Sequence, residues 1–193
     1  MFGFILNKFR NIEQRYYLIE AYVIMQKDDE EKKTIYLKFE NLQVEKLYRM
    51  FDPYIIYVDN NGNAHITETW DCYTNQGTEV YHPYYNLGNS EIKNLNVSEG
   101  NTKYTTLSKW NTSGTLSSKA NKCGINRISN GIELCWGISN YGSHKYIVQY
   151  TITNFVSELT DSQMIYWTLI PYEFSNSIGQ VYIKIHTDFK IAN

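Results

Sequence analysis

Cysteine is scarce in this sequence: Cys72, Cys123 and Cys135 are the only three in 193 residues. They form no CxxC pair and have no short spacing to histidine, which excludes the usual zinc arrangements. One disulfide with a leftover thiol is open on the count alone; three reduced, structural thiols are the expectation. Proline is as rare, with three. An excess of positive charge is missing too, since 18 Lys and Arg stand against 20 Asp and Glu for a net charge of −2. Without a basic field the chain has nothing to hold a phosphate backbone, so nucleic acid is excluded as a partner class. No apolar run approaches the ~18 residues of a membrane span. The start, MFGFILNKFR, lacks the basic region, apolar core and cleavage site of a signal peptide. As written, the polypeptide is expected to stay soluble in the compartment where it is made. Catalytic signatures are absent as well: there is no GxSxG elbow, GxGxxG turn, GxxxxGK loop or HExxH helix. The expectation is a protein that is not an enzyme, with no cofactor and no metal.

Tyrosine is what the chain has in plenty, with 18. Tyr, Thr, Ile and Val fit a half-buried pleated surface, which points to a β protein. With 42% hydrophobic and 20% charged residues, the chain is globular and long enough for a real core. Its character changes near Asp52-Pro53. Before that point, YYLIEAYVIMQ and TIYLKFENL flank the charged run KDDEEKK (27–33), and NLQVEKLYRMF has helical spacing behind an Asn41 cap. Residues 1–52 therefore read as a hairpin plus a short helix; a helix over 12–25 is the alternative. Residues 53–193 read as strand, turn, strand. YIIYV and AHITETWDC flank the hairpin turn DNNGN. Tyr146, Val148, Tyr150 and Ile152 alternate with Gln149, Thr151 and Thr153. Val181, Ile183 and Ile185 alternate with Tyr182, Lys184 and His186, so each segment has one dry face. EIKNLNV shifts phase between Ile92 and Leu95, which predicts a bulge. About seven short strands so spaced predict a mainly β protein, an antiparallel β-sandwich of immunoglobulin-like or jelly-roll-like type, preceded by the small extension.

The polar stretch NGNAHITETWDCYTNQGTEVYH (61–82) is the first place to look for chemistry. On a strand over 64–72, Ala64, Ile66, Glu68, Trp70 and Cys72 share one face, and His65, Thr67, Thr69 and Asp71 the other. His65 and Asp71 lie about 20 Å apart at ~3.3 Å per residue. Glu79 and His82 again face opposite ways. A metal or acid–base site would thus need partners from elsewhere in the fold, and a polar sheet face is the simpler reading. Glu68 stands apart, because a carboxylate between Ile66 and Trp70 needs a partner or a wet edge. It is either a proton carrier with a raised pKa or, more commonly, a residue at the sandwich rim or bonded to backbone or a tyrosine hydroxyl. Tyr81, His82, Tyr84 and Tyr85, with Trp110, Trp136 and Trp167, are candidates for a sugar-stacking platform, against the commoner role of core and rim. NVS (96–98) and NTS (111–113) fit the glycosylation pattern, and chance accounts for both in so Asn-rich a chain.

NNGNAHITETWDCYTNQGTEVYHPYYNLGNSEIKNLNV resembles the opening of the N-terminal ectodomain of a family of bacterial predicted membrane proteins of unknown function. In that family a strand with an x-DG-x-x-x-V-T-E phrase leads the domain; here it reads NNGNAHITE, with Asn61 in place of the acidic residue. HKYIVQYTITNFVSELTDSQMIYWTLIP resembles the second signature, carried by Tyr146, Val148, Tyr150, Ile152 and the Tyr166-Trp167 pair. The likeness covers roughly residues 54–190. It implies an extracytoplasmic β-sandwich at the cell envelope, normally with a leader and membrane helices, whose partner is a protein or glycan. It implies no catalytic residues. Because neither leader nor membrane helix stands in this sequence, the reading frame is expected to be a fragment or a fusion, touching the membrane only through absent segments. The leading expectation is a non-enzymatic binding or assembly domain, and the second a carbohydrate-binding module using exposed Tyr and Trp. The possible ligand residues are Glu68, Tyr81, His82, Tyr84 and Tyr85.

Overall fold

The computed structural model describes residues 21–25, 35–40, 54–170 and 180–187. Nearly all of their regular structure is strand: β1 (Ala21–Met25), β2 (Ile35–Glu40), β3 (Tyr54–Val58), β4 (Ala64–Thr74), β5 (Glu79–Tyr85), β6 (Ile92–Glu99), β7 (Thr102–Lys103), β8 (Thr105–Leu107), β9 (Lys122–Ile128), β10 (Gly131–Gly137), β11 (Gly142–Ile152), β12 (Val156–Glu158), β13 (Gln163–Trp167) and β14 (Gln180–Thr187). One short helix, α1 (Leu116–Lys119), precedes β9. The strands form a seven-stranded sheet in the order β2-β14-β3-β4-β11-β6-β7, a four-stranded sheet β5-β10-β9-β8 and a three-stranded sheet β1-β13-β12. Among these strand pairs only β14–β3 and β8–β9 run parallel.

Alternation explains how the sheets pack. Tyr146, Val148, Tyr150 and Ile152 of β11 are buried, as are Ile66 and Glu68 of β4, while Lys145, Ile147, His65 and Asp71 are exposed. The dry face meets the four-stranded sheet through rings. Trp136 of β10 lies edge-on to Trp70 of β4 at 5.2 Å and to Tyr146 at 5.9 Å. Tyr84 of β5 meets Tyr150 of β11 at 5.9 Å. Such edge-to-face pairs add to the area they bury, because a positive ring edge meets a negative ring face. The protein is therefore a mainly β sandwich. The three-stranded sheet joins the same core through Ile165 of β13, and Trp167 stacks on Phe155 at 5.4 Å.

Turns follow the residues that make them cheap. Asp59 Oδ1 accepts the backbone N–H of Asn61 and of Asn63, each at 2.9 Å, and Gly62 at φ 74° closes the β3–β4 turn. Asn86, Asn94, Asn121 and Asn154 are the four non-glycine residues with positive φ among those described. Asparagine is among the few residues that enter the left-handed region at low cost, so turn chemistry accounts for part of the Asn content. Asn94 marks the bulge that EIKNLNV predicts: the register runs Gln149↔Asn96 and then Thr151↔Lys93, leaving Asn94 and Leu95 opposite Tyr150.

The N-terminal expectation needs correcting in one respect. Strands do occur within YYLIEAYVIMQ and TIYLKFENL, but β1 pairs with β13 and β2 with β14, not with each other. Each extends a sheet built from later residues, where an open ladder edge supplies backbone partners. Residues 21–25 are strand, so the alternative helix over 12–25 does not run through them. The helix expected over 41–51 and the charged run 27–33 lie outside the described residues. Among the described residues, no helix is long and apolar enough to cross a membrane.

Candidate functional site

Glu68, flagged in the sequence as a carboxylate on an apolar face, is 1% exposed, and so is His82. The two meet across the sandwich. β4 brings Glu68 from one sheet, β5 brings His82 from the other, and His82 Nδ1 lies 3.0 Å from Oε1 and 3.1 Å from Oε2. Trp70 Nε1 donates to Oε2 at 2.6 Å, and the Tyr150 hydroxyl donates to Oε1. Tyr84 hydrogen-bonds Tyr150 hydroxyl to hydroxyl and stacks on the His82 ring at 4.5 Å. The bulge at Asn94–Leu95 lies directly opposite Tyr150. Burial pushes the Glu68 carboxyl up, but the His82 charge and the donors outweigh it and hold it below the ordinary 4.5. Of the readings of Glu68, the tyrosine-bonded one describes this geometry; burial rules out a place at the rim, and the direction is opposite to that of a proton carrier with a raised pKa.

The expected aromatic platform divides between two faces. His82 and Tyr84 point into the sandwich, with Trp136 and Tyr150. Tyr81, 39% exposed, and the half-buried Tyr85 lie on the outer side of β5. Across from Tyr81 on that side is Cys135, and one row further Glu133 accepts from Asn126 Nδ2 at 2.6 Å. Trp110 is buried against Gly124, where a Cβ would come within 3.2 Å of its ring. His65 is exposed and sits 3.1 Å from Asp59.

Two clusters escaped the sequence reading. Lys119, in the last turn of α1, is buried with Nζ 2.8 Å from Glu79 Oε2, 2.9 Å from Thr78 Oγ1 and 2.7 Å from the Thr112 carbonyl. Trp110 Nε1 also donates to Glu79. A lysine in a Ser/Thr-rich stretch carries no sequence sign that it is internal. His144 is 4% exposed and meets Glu99 Oε1 at 2.7 Å. A signal for it existed, because His144 continues the phase of Tyr146, Val148 and Tyr150 onto the dry face of β11.

His65, His82 and His144 thus each pair with a carboxylate, and the two inner pairs are closed in by rings. The three thiols are free; burial pushes Cys72 up to about 12, with Asp71 and Glu99 adding to it. That makes it a poor nucleophile. Among the described residues, no group of three or more His, Cys, Asp or Glu is placed to hold a metal ion. Among the described residues, eight large apolar side chains are exposed, and five of them are tyrosines: Tyr57, Tyr73, Tyr81, Tyr141 and Tyr166. Tyr73 and Tyr141 come together at one end of the sandwich, since Tyr73 pairs with Ser143 and the Tyr141 hydroxyl donates to the Gly77 carbonyl at 3.0 Å. Compared with known proteins, the chain matches no family model, no curated protein and no solved structure.

Proposed function

We propose that this chain is a non-enzymatic binding domain, a β-sandwich that engages a protein or glycan partner through exposed tyrosines. The observation that carries the reading is the division of its polar chemistry. Two of the three carboxylate–imidazole pairs, Glu68–His82 and Glu99–His144, are turned inward, while among the described residues tyrosine is the commonest large apolar side chain left facing water. Tyr73 and Tyr141, 56% and 50% exposed, stand among the loops TNQGT (74–78) and SNYGS (139–143). Tyr, Asn, Ser and Gly are the residues of loop-built recognition surfaces, in which a rigid ring supplies contact area and short polar groups adapt their hydrogen bonds. The resemblance over residues 54–190 adds the setting: the extracytoplasmic domain of a bacterial membrane protein, facing the cell envelope.

A test is co-sedimentation of the purified chain with bacterial cell walls and capture of detergent-solubilised envelope proteins, repeated with Tyr141→Ala. Retention by either fraction, weakened at least about tenfold in the variant as for a buried anchor residue, is the expected result. Equal retention of parent and variant, or none at all, would reject this surface. A second reading, a carbohydrate module, has its own observation in Tyr81, which stands exposed beside the Asn126–Glu133 pair on the outer four-stranded sheet. It expects polysaccharide binding that is lost in Tyr81→Ala and kept in Tyr141→Ala.

A further inference from the structure

A neutral imidazole carries one N–H, yet both nitrogens of His144 face acceptors. Nδ1 lies 2.7 Å from the Glu99 carboxylate and Nε2 2.9 Å from the Asn140 backbone carbonyl. Neither acceptor has a proton to give while Glu99 is ionised, so both bonds require the ring to donate twice, which only the imidazolium does. The ring cannot turn aside, for it is 4% exposed and stacked on Tyr146 at 5.1 Å with the planes 9° apart. We infer that His144 is a pH-operated latch: protonated, it ties the 138–142 loop to β6, and deprotonated, it releases the Asn140 carbonyl.

The loop end is the side that gives way. A charge-assisted bond to a carboxylate is about twice as strong as one to a carbonyl, so a single remaining N–H stays with Glu99, and a lone pair is left facing the Asn140 oxygen. Release reaches Tyr141 directly, because the next residue holds the exposed ring whose hydroxyl meets Gly77. The neighbouring groups leave the switch to this pair. Tyr104, from the β7–β8 side, donates to Glu99 Oε2 at 3.1 Å, and burial together with the Glu99 charge pushes its hydroxyl well up. Tyr146, on the same strand, is pushed up by burial and by Tyr104 and Glu99. Cys72, the cross-strand neighbour on β4, stays a thiol to about 12. Asp71 and Lys145 face each other across β4 and β11 on the opposite side of the sheet, both solvent-exposed. These neighbours leave the His144 ring, donating at both nitrogens, as the group on which the latch turns.

The latch rests on the His144 geometry; that it governs recognition rests on the reading of Tyr141 above. The test uses the full chain and nitrogen NMR of the imidazole, with amide exchange of residues 139–142 corrected for intrinsic pH effects. Expected are two N–H signals below the His144 midpoint, one above it, and loop exchange faster by about tenfold above it, the factor for one ordinary hydrogen bond. His144→Gln, which keeps one donor but no charge change, is expected to lose that pH dependence. A ring with a single N–H at every pH overturns the latch, and so does loop exchange that ignores the transition. Should His144→Gln fail to fold, the nitrogen signals of the parent decide by themselves. A working latch in a chain whose Tyr141→Ala variant binds as before would leave the latch standing and remove only its role in recognition.

Discussion

Replacing Glu68 by Gln changes one atom and no shape, yet it is expected to be among the most costly single changes in this protein. Three donors converge on the Glu68 carboxylate: the Tyr150 hydroxyl on Oε1, Trp70 Nε1 on Oε2 and His82 Nδ1 between them. The amide of Gln offers one oxygen, so its NH2 is turned toward at least one donor in a site that is 1% exposed. Each stranded buried donor costs about 1–3 kcal/mol, and removing one charge of a buried pair costs about 3–5 kcal/mol. These overlap, and about 4 kcal/mol is the expected loss. For a chain of this size that lowers Tm by roughly 8–16 °C, at about 2–4 °C per kcal/mol. Urea denaturation at neutral pH, with thermal melts followed by tryptophan fluorescence, measures it. The acid limb adds a second test. Because the folded carboxyl lies below its ordinary 4.5, its stabilisation is complete above that value and is lost as pH falls through the folded pKa. Glu68→Gln should therefore flatten the stability profile on the acid side. A loss under about 1 kcal/mol, the size of an ordinary substitution, would refute the assignment of Glu68 as the inter-sheet clamp. An acid limb identical to that of the parent would do the same.

Asp59 is held at about 2 rather than 3.8, since its bonds to Asn63, His65 and Asn61 outweigh the burial that raises it. Carboxyl NMR should place its midpoint there, and stability should fall as pH drops from 3.8 toward 2; a midpoint near the ordinary value would disprove the turn's bonding. At the bulge, Asn94 holds φ 60°, so Asn94→Val is expected to cost about 1–2 kcal/mol by thermal denaturation and Asn94→Gly far less. Equal losses from the two would argue against a left-handed backbone there. Lys119→Met removes the cation beside Glu79, and because Glu79 remains partly open to water urea denaturation should show a loss of about 3 kcal/mol, at the low end for a broken buried pair. A thiol reagent at pH 8 should leave Cys123 and Cys135 unlabelled until denaturant is added, as both are fully buried; prompt labelling would contradict their burial.

Face assignment was the part of this fold most readable in the sequence. The strict alternation through β11 placed Tyr146, Val148, Tyr150 and Ile152 inside, where they are, and the phase slip in β6 located the bulge. Thr151 shows the limit: it points outward with Gln149, yet it is buried beside His65. Periodicity reports direction and not how closely neighbours crowd. Pairing across sheets was not readable. Glu68 and His82 lie fourteen residues apart, and each was placed on its own strand, but nothing local states which strands face each other across the sandwich. The alternation of β14 likewise gave its dry face without showing that its neighbours would be β2 and β3.

The position of β14 has a consequence for how the molecule comes into being. The strand nearest the C-terminus fills the slot between β2 and β3, with Ile183 opposite Tyr54 and Thr187 opposite Val58 in parallel register. During synthesis, Tyr54–Val58 therefore waits for more than a hundred further residues before its second neighbour emerges from the ribosome. Long-range pairings of this kind, parallel ones above all, slow folding, because a large loop must close before any contact repays it. Until then, β3 offers an unpaired hydrophobic ladder to any other extended chain nearby. A polypeptide stopped short of residue 180 would keep that ladder open permanently, and aggregation rather than simple loss of stability is how such a truncation should reveal itself.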